Sequence, residues 1–220
     1  TVSPAVACQH TGNGTDYQVG PGKPYASLGQ VPFESLQAGD SVRIFWRAQN
    51  YYEKLMISGS GTAQQPIRIC GVAGPNGELP VINWQGATTR TSLSFPYDGH
   101  QVRGLIIIGH ANNNPSYNEN PKHIILEGLE IKGASPENSF TSRSGAVQNY
   151  SVFAAGLFIE RGEDITIRGN RFTANNLAIY GGTGGGAILM RDILIESNHI
   201  AGNGILTSYY EHNTYLEGLN

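Results

Sequence analysis

An all-β solenoid of parallel strands is the expectation for this 220-residue chain, and three features carry it. Turn formers dominate, with 29 Gly and 11 Pro, whereas only 14% of residues are charged and helix formers are scarce. Apolar stretches are short and alternate with polar residues, the mark of strands with one buried face. The chain also repeats itself. Asp164-Ile-Thr-Ile-Arg-Gly-Asn170-Arg-Phe-Thr-Ala-Asn175 lies over Asp192-Ile-Leu-Ile-Glu-Ser-Asn198-His-Ile-Ala-Gly-Asn203, with five identities at an offset of 28: the aspartate, two isoleucines and both asparagines.

The repeat justifies each element in turn. An earlier copy, His123-Ile-Ile-Leu-Glu-Gly-Leu-Glu-Ile-Lys-Gly-Ala134, fits the apolar positions at an offset of 41 but lacks the asparagine. A second set of strands comprises Leu157-Phe-Ile-Glu160, Leu177-Ala-Ile-Tyr180 and Thr214-Tyr-Leu-Glu217, with Gly104-Leu-Ile-Ile-Ile-Gly109 as an earlier member. Units this short cannot bury their own apolar face, so they must stack on their neighbours. Stacking places Ile165 on Ile193, Ile167 on Ile195 and Asn170 over Asn198, where inward asparagines can bond along the stack. A β-sandwich also has short strands, but it would not repeat its turn asparagines at a fixed offset.

Residues 1–40 read as an N-terminal cap and lead-in, and 41–220 as the coils of a single domain. A cap is needed because a first coil exposes a sheet edge. Tyr25 to Leu36, with apolar Leu28, Val31, Phe33 and Leu36, suits a short helical cap, although Gly29 and Pro32 oppose a long one. At the other end Thr214-Tyr-Leu-Glu-Gly-Leu-Asn220 matches only the first strand of a coil. A further chain segment, a partner or self-association at the C-terminal end is therefore expected.

Composition also bounds function. A net charge of -3 argues against a nucleic-acid partner held through phosphates. The longest apolar runs span a few residues, too few for a membrane helix. Cys8 and Cys70 lack metal spacing and are either buried thiols or a bridge. A bridge would close a loop of about 60 residues and stabilise by roughly 4 kcal/mol on the chain-entropy estimate. The N-terminus, Thr1-Val-Ser-Pro-Ala5, reads as a mature end after signal removal, which favours a secreted or periplasmic protein and the bridge. Asn13-Gly-Thr15 and Asn149-Tyr-Ser151 fit the glycosylation sequon.

Three stretches carry a resemblance: Val19-Gly-Pro-Gly-Lys-Pro-Tyr-Ala-Ser-Leu28 leading to Leu36-Gln-Ala-Gly-Asp-Ser-Val-Arg-Ile-Phe45, then Ile57-Ser-Gly-Ser-Gly-Thr-Ala-Gln-Gln-Pro-Ile-Arg-Ile-Cys-Gly-Val72, and Ile193-Leu-Ile-Glu-Ser-Asn-His-Ile-Ala-Gly-Asn-Gly204. Together they resemble right-handed parallel β-helix proteins of the pectin-lyase-like superfamily, over nearly the whole chain. The resemblance implies a right-handed parallel β-helix and a polysaccharide as partner; it speaks weakly for any one activity. Motifs of the calcium-dependent pectate lyase and polygalacturonase types are absent, which disfavours both.

Candidate chemistry concentrates in Tyr209-Tyr-Glu211-His212-Asn-Thr-Tyr215-Leu-Glu217, where an imidazole, two carboxylates and three phenols lie close together. His212, Glu217, Tyr215 and Glu211 are the catalytic candidates; an ordinary turn with strand aromatics is the plainer alternative. Aligning Ile159, Ile179 and Leu216 as inward puts Phe158, Ala178 and Tyr215 in one outward column and Glu160, Tyr180 and Glu217 in the next. Glu160 and Glu217 would then stand about 10 Å apart, at or just beyond the limit for an inverting carboxylate pair. β-Elimination on a uronic acid needs a cation for the carboxylate and a base for the C5 proton. Among Arg161, Arg168, Arg171, Arg191 and Lys54, the best placed are Arg161 and Arg191, which with Glu160 and Tyr180 form the substrate-binding set. Arg168 stacks over Glu196 and reads as half of a surface pair. The Gly181–Gly186 run lacks the lysine and framing of a phosphate loop. No cofactor is indicated, and the acidic residues are too scattered for a calcium site. Cleavage of an acidic polysaccharide by β-elimination is the leading expectation. Glycoside hydrolysis and a non-catalytic carbohydrate-binding, adhesin or structural module are the alternatives.

Overall fold

The computed structural model of the chain describes residues 7–93, 98–110, 120–182, 190–204 and 212–218. It is an all-β protein built mainly from parallel sheets. The first sheet runs β1 (Asp16–Val19), β2 (Ser41–Phe45), β4 (Ile67–Val72), β8 (Lys122–Glu127), β13 (Glu163–Arg168) and β16 (Arg191–Glu196). The second runs β3 (Leu55–Ile57), β7 (Gly104–Ile108), β12 (Ala155–Ile159), β15 (Leu177–Gly181) and β18 (Thr214–Leu216). The third contains β5 (Val81–Asn83), β9 (Glu130–Lys132), β14 (Arg171–Thr173) and β17 (His199–Ile200). A small fourth sheet joins β6 (Ala87–Thr88) in parallel to β10 (Ser139–Thr141), which pairs antiparallel with β11 (Val147–Asn149). From β4 onward the chain visits first, third and second sheets in a recurring order, passing through the fourth on two of the rounds.

The repeat in the sequence is the register of the sheets. Ile165 pairs with Ile193 and Ile167 with Ile195, while on the other side Ile124 and Leu126 pair with the same two isoleucines. Ile124, Leu126, Ile165 and Ile167 are fully buried, and each contributes about 1.5–3 kcal/mol by leaving water. Ile131, Phe172 and Ile200 continue the core across the third sheet.

The asparagines close the turns between sheets. Asn198 Oδ1 accepts the backbone N–H of Asn170 at 2.9 Å and its side-chain amide at 3.2 Å; the Asn198 amide donates to the Ile167 carbonyl at 2.8 Å. Asn203 treats Asn175 and Phe172 in the same way. Where the earlier copy has Leu129, its backbone N–H donates to Asn170 Oδ1. Each ladder position follows one left-handed residue: Gly128, Gly169 and Ser197 before the first asparagine site, and Gly133, Ala174 and Gly202 before the second. The repeated aspartate has the same cause. His123, Asp164 and Asp192 all have φ of 52–54°, a conformation that Asp and His tolerate better than branched residues. The pairing steps over them, from Glu163–Arg191 to Ile165–Ile193.

At the N-terminal end the anticipated helix is instead two single turns of 3₁₀ geometry, Leu28–Gln30 and Phe33–Ser35. Pro32 separates them, since its ring cannot continue a helix. Leu28, Val31, Phe33 and Leu36 are all buried and belong to the main hydrophobic core. β1 lies within the lead-in and pairs with β2, so the first sheet begins at Asp16. Cys8 is bridged to Cys70 with a Cα–Cα distance of 5.5 Å.

Candidate functional site

The outward side of the second sheet is shaped by its register. Leu157 pairs with Ile179, and Ile159 with Gly181, which in turn pairs with Leu216. The alignment of Ile159 with Ile179 is therefore off by two residues. Gly181 suits the inward position: a Cβ there would come within 2.7 Å of Leu216 and 2.8 Å of Met190, whose side-chain ends occupy the space it leaves. As a correction to the expected columns, Tyr180 stands with Phe158 and Tyr215, not with Glu160 and Glu217, and Ala178 is two residues away from that row.

Three aromatic rings thus stack across β12, β15 and β18. Phe158 and Tyr180 have centroids 5.3 Å apart, Tyr180 and Tyr215 are 5.9 Å apart, and His212 stacks on Tyr215 at 5.6 Å. The stack runs from a buried end to an open one: Phe158 is 1% exposed and Tyr215 42%. Ring faces are spent on one another, leaving edges and hydroxyls for solvent.

Beside the rings runs the carboxylate column. Backbone bonds from Glu160 to Ile108, Gly182 to Ile159 and Glu217 to Gly181 set Glu160, Gly182 and Glu217 in one row. Each carboxylate leans back over a glycine. A Cβ on Gly109 would meet Glu160 Oε2 at 2.5 Å, and one on Gly182 would meet both Glu217 Oε1 and Tyr180 Oη at 2.9 Å. Glu217 therefore gathers two phenols: Tyr180 beside it over Gly182, and Tyr215, whose hydroxyl donates to Oε2 at 3.4 Å. Burial, and then the Glu217 charge, raises the Tyr180 pKa above the ordinary phenol value.

Glu160, leaning in the same direction onto the preceding strand, meets different partners. It accepts the His110 N–H at 3.0 Å and the Arg161 guanidinium at 2.9 Å, with both side chains of that ion pair nearly buried. His100 packs edge-on against Phe158 at 5.6 Å. Both imidazoles are pushed below the usual histidine value, first by burial; Arg103 and Arg161 add to this for His100 and Arg161 for His110, while Glu160 opposes it. Arg103 also acts on Tyr180. His100, His110 and Arg103 escaped the sequence reading. The signal was available for one: matching Gly104–Gly109 to β12 puts Gly109 beneath Glu160 and His110 beside Arg161.

The other candidates lie elsewhere. Arg191 pairs with Glu163 at 3.0 Å on the first sheet, and Arg171 lies 3.6 Å from Glu130 on the third. Arg168 stands opposite Glu196 in register, but its guanidinium bonds Glu127 at 2.7 Å; the expected Arg168–Glu196 pair is replaced because Glu127 on the preceding strand is buried and nearer. Lys54 is buried among Phe140, Tyr150 and Trp84. Glu211, with Tyr209 and Tyr210, and residues 183–186 of the glycine run lie outside the described residues. Among the described residues, no cluster of three or more His, Cys, Asp or Glu is placed to hold a metal, and no helix is long and apolar enough to cross a membrane.

Comparison with family models, with curated proteins and with solved structures finds no match for this chain. The site must be read from its own chemistry.

Proposed function

We propose that the chain is a right-handed parallel β-helix acting outside the cytoplasm, and that the outward face of its second sheet binds an acidic polysaccharide and cleaves it by β-elimination. One observation carries the reading: His212, Tyr215, Tyr180 and Glu217 converge at the open end of the aromatic column. In this mechanism the exposed His212 imidazole removes the C5 proton of a uronate. The C4–O bond breaks as the C4–C5 double bond forms, and a tyrosine hydroxyl protonates the departing oxygen. Tyr180, kept protonated by burial and by Glu217, suits the donor role. Glu217 orients the phenols, and Arg103 is the nearby cation for the sugar carboxylate. The Cys8–Cys70 bridge fits an oxidising compartment.

Hydrolysis by a carboxylate pair is less well supported, because Glu160 is committed to Arg161 and His110 and leans away from Glu217. A binding module without chemistry is the second reading, favoured by the hydroxyl and carboxylate exposed at the open end of the column, which can hydrogen-bond a glycan without reacting. Incubation with alginate, pectin and a glycosaminoglycan, read by ultraviolet absorbance of the unsaturated product, tests the proposal. Product formation that falls about 100-fold or more in His212→Ala is expected. Glycan binding with no product from any of the three would establish the binding module instead.

A further inference from the structure

The first sheet carries a second feature, on a different sheet from the proposed site. Residues 7–15 cross this sheet as a strap. Its staples are the Cys8–Cys70 bridge and Arg68, whose two terminal nitrogens donate to the Gln9 and Ala7 carbonyls at 3.0 and 3.1 Å, on either side of Cys8. Further along, Gly12 lies so close to Gly39 that a Cβ would fall 2.2 Å from the Gly39 carbonyl oxygen, and Asp40 accepts the Thr15 N–H at 2.7 Å. The strap is tied to β2 at Ser41 and to β4 at Arg68 and Cys70.

Beside the strap, a recess of about 220 Å³ opens. Its walls combine the guanidinium groups of Arg68 and Arg168 with Ser41, Thr11 and Gln64, over an apolar floor at Ile125. The Ser41 hydroxyl is held by His10 at 3.0 Å. Both guanidinium groups are oriented by one carboxylate: Glu127, 4% exposed, receives Arg68 Nε on one oxygen and Arg168 Nε on the other. Glu127 is not among the lining groups, so two cations and no carboxylate face the recess. Two positive charges against one buried negative leave a surplus of one at the wall. The terminal nitrogens of Arg168 remain to form a planar fork suited to a carboxylate. Glu196, opposite Arg168 on β16, is exposed and outside the lining.

We infer that this recess binds a single uronate sugar unit, with the carboxylate on Arg168, the sugar hydroxyls on Thr11 and Gln64, and a ring face over Ile125. Its size admits one pyranose ring, and hydroxyl, amide and guanidinium groups around an apolar floor match the surface of an acidic sugar.

Titration calorimetry of the oxidised chain with sodium glucuronate, sodium sulfate and methyl glucoside tests the assignment. Glucuronate should bind, and Arg168→Gln should weaken it about tenfold, the loss of one charge-assisted contact. Arg171→Gln, on the third sheet, should leave binding unchanged. Equal glucuronate affinity in Arg168→Gln, or no glucuronate binding at all, would overturn the site. Sulfate binding as tightly as glucuronate, or methyl glucoside equalling it, would overturn the uronate assignment. None of these outcomes depends on cleavage at the second sheet.

Discussion

Two ladders of like side chains cross successive strands of this molecule, and they differ in what burial does to them. The asparagine ladder at the corner of the first and third sheets is satisfied from within: Asn170 is 2% exposed and every polar atom of its amide is bonded to backbone or to Asn198. The aromatic ladder on the second sheet begins sealed at Phe158 and ends open at Tyr215, with hydroxyls, an imidazole and a carboxylate at the open end. The first repeats the same residue at Asn170 and Asn198 because both make the same backbone bonds. The second changes from phenylalanine at its buried end, Phe158, to tyrosine at Tyr180 and Tyr215, where the rungs approach solvent. Polar atoms bonded within the protein mark structure here, and polar atoms left toward solvent mark the surface available for chemistry.

The comparison breaks most sharply at Asn170. Replacing it with Ala strands the buried Leu129 N–H and Leu126 carbonyl, each worth about 1–3 kcal/mol when left unpaired, so a loss of about 3 kcal/mol is expected in urea unfolding. Tyr215→Phe, at the open end of the other ladder, should shift the same midpoint by less than about 0.5 kcal/mol. Similar losses for the two would erase the distinction.

A polar group buried without repetition gives the next largest effect, with the opposite sign. Lys54 sits among Phe140, Tyr150 and Trp84 at 3.9, 4.8 and 5.1 Å, donating to the Gln101 carbonyl, and burial holds its amine well below the usual lysine range. The rings return part of the desolvation cost but do not replace water around three N–H donors. Because the folded-state pKa is depressed, this lysine's contribution to stability is full above its unfolded value. It is lost as pH falls from there toward the folded value and is constant below. Lys54→Met should therefore be more stable than the parent at neutral pH by about 1–2 kcal/mol, with the gap closing at alkaline pH. Parallel stability-against-pH curves for parent and variant would refute this.

The sequence shows why one ladder was readable and the other was not. Ile165, Ile193, Asn170 and Asn198 recur at one offset, and their partners follow from it. On the second sheet a slip of two residues preserves the alternation of in and out, so Leu-Phe-Ile and Leu-Ala-Ile align equally well at either choice. The residue at the inward position, Gly181, looks like turn material in sequence and becomes informative only once Leu216 and Met190 occupy its empty side. His100 and Arg103 come from a turn before β7 and reach the site through packing that no periodicity encodes. Pro32 did announce the break between the two turns, but the first of them, Leu28–Gln30, follows from local bonding by Ser27 and Gln30.

A smaller effect separates backbone from side chain at the turns. Gly169 has φ of 61° and open space where a Cβ would be, so Gly169→Ala should cost about 1 kcal/mol from conformation alone. Gly169→Asn should cost less, since Asn tolerates the left-handed region. Thermal unfolding of the pair measures the difference; equal losses would mean that contacts, not conformation, require the glycine.

The smallest stability change is expected at Gly182, and there it carries the most information about the site. A Cβ at this position meets only the far ends of two side chains, Glu217 Oε1 and Tyr180 Oη, both at 2.9 Å. These ends can swing aside, so Gly182→Ala should lower stability by no more than about 0.5 kcal/mol. What it cannot leave intact is their meeting over the bare backbone. With the carboxylate displaced, Tyr180 loses the negative charge that helps hold its proton, and its titration should move down toward the ordinary phenol range. If Tyr180 donates the proton to the leaving oxygen, product formation should fall about tenfold or more while glycan binding persists. A spectrophotometric tyrosine titration and the elimination assay on the same variant read the two consequences together. A moved titration with unchanged turnover would remove Tyr180 from the chemistry, whereas neither moving would mean that Glu217 never depended on the gap.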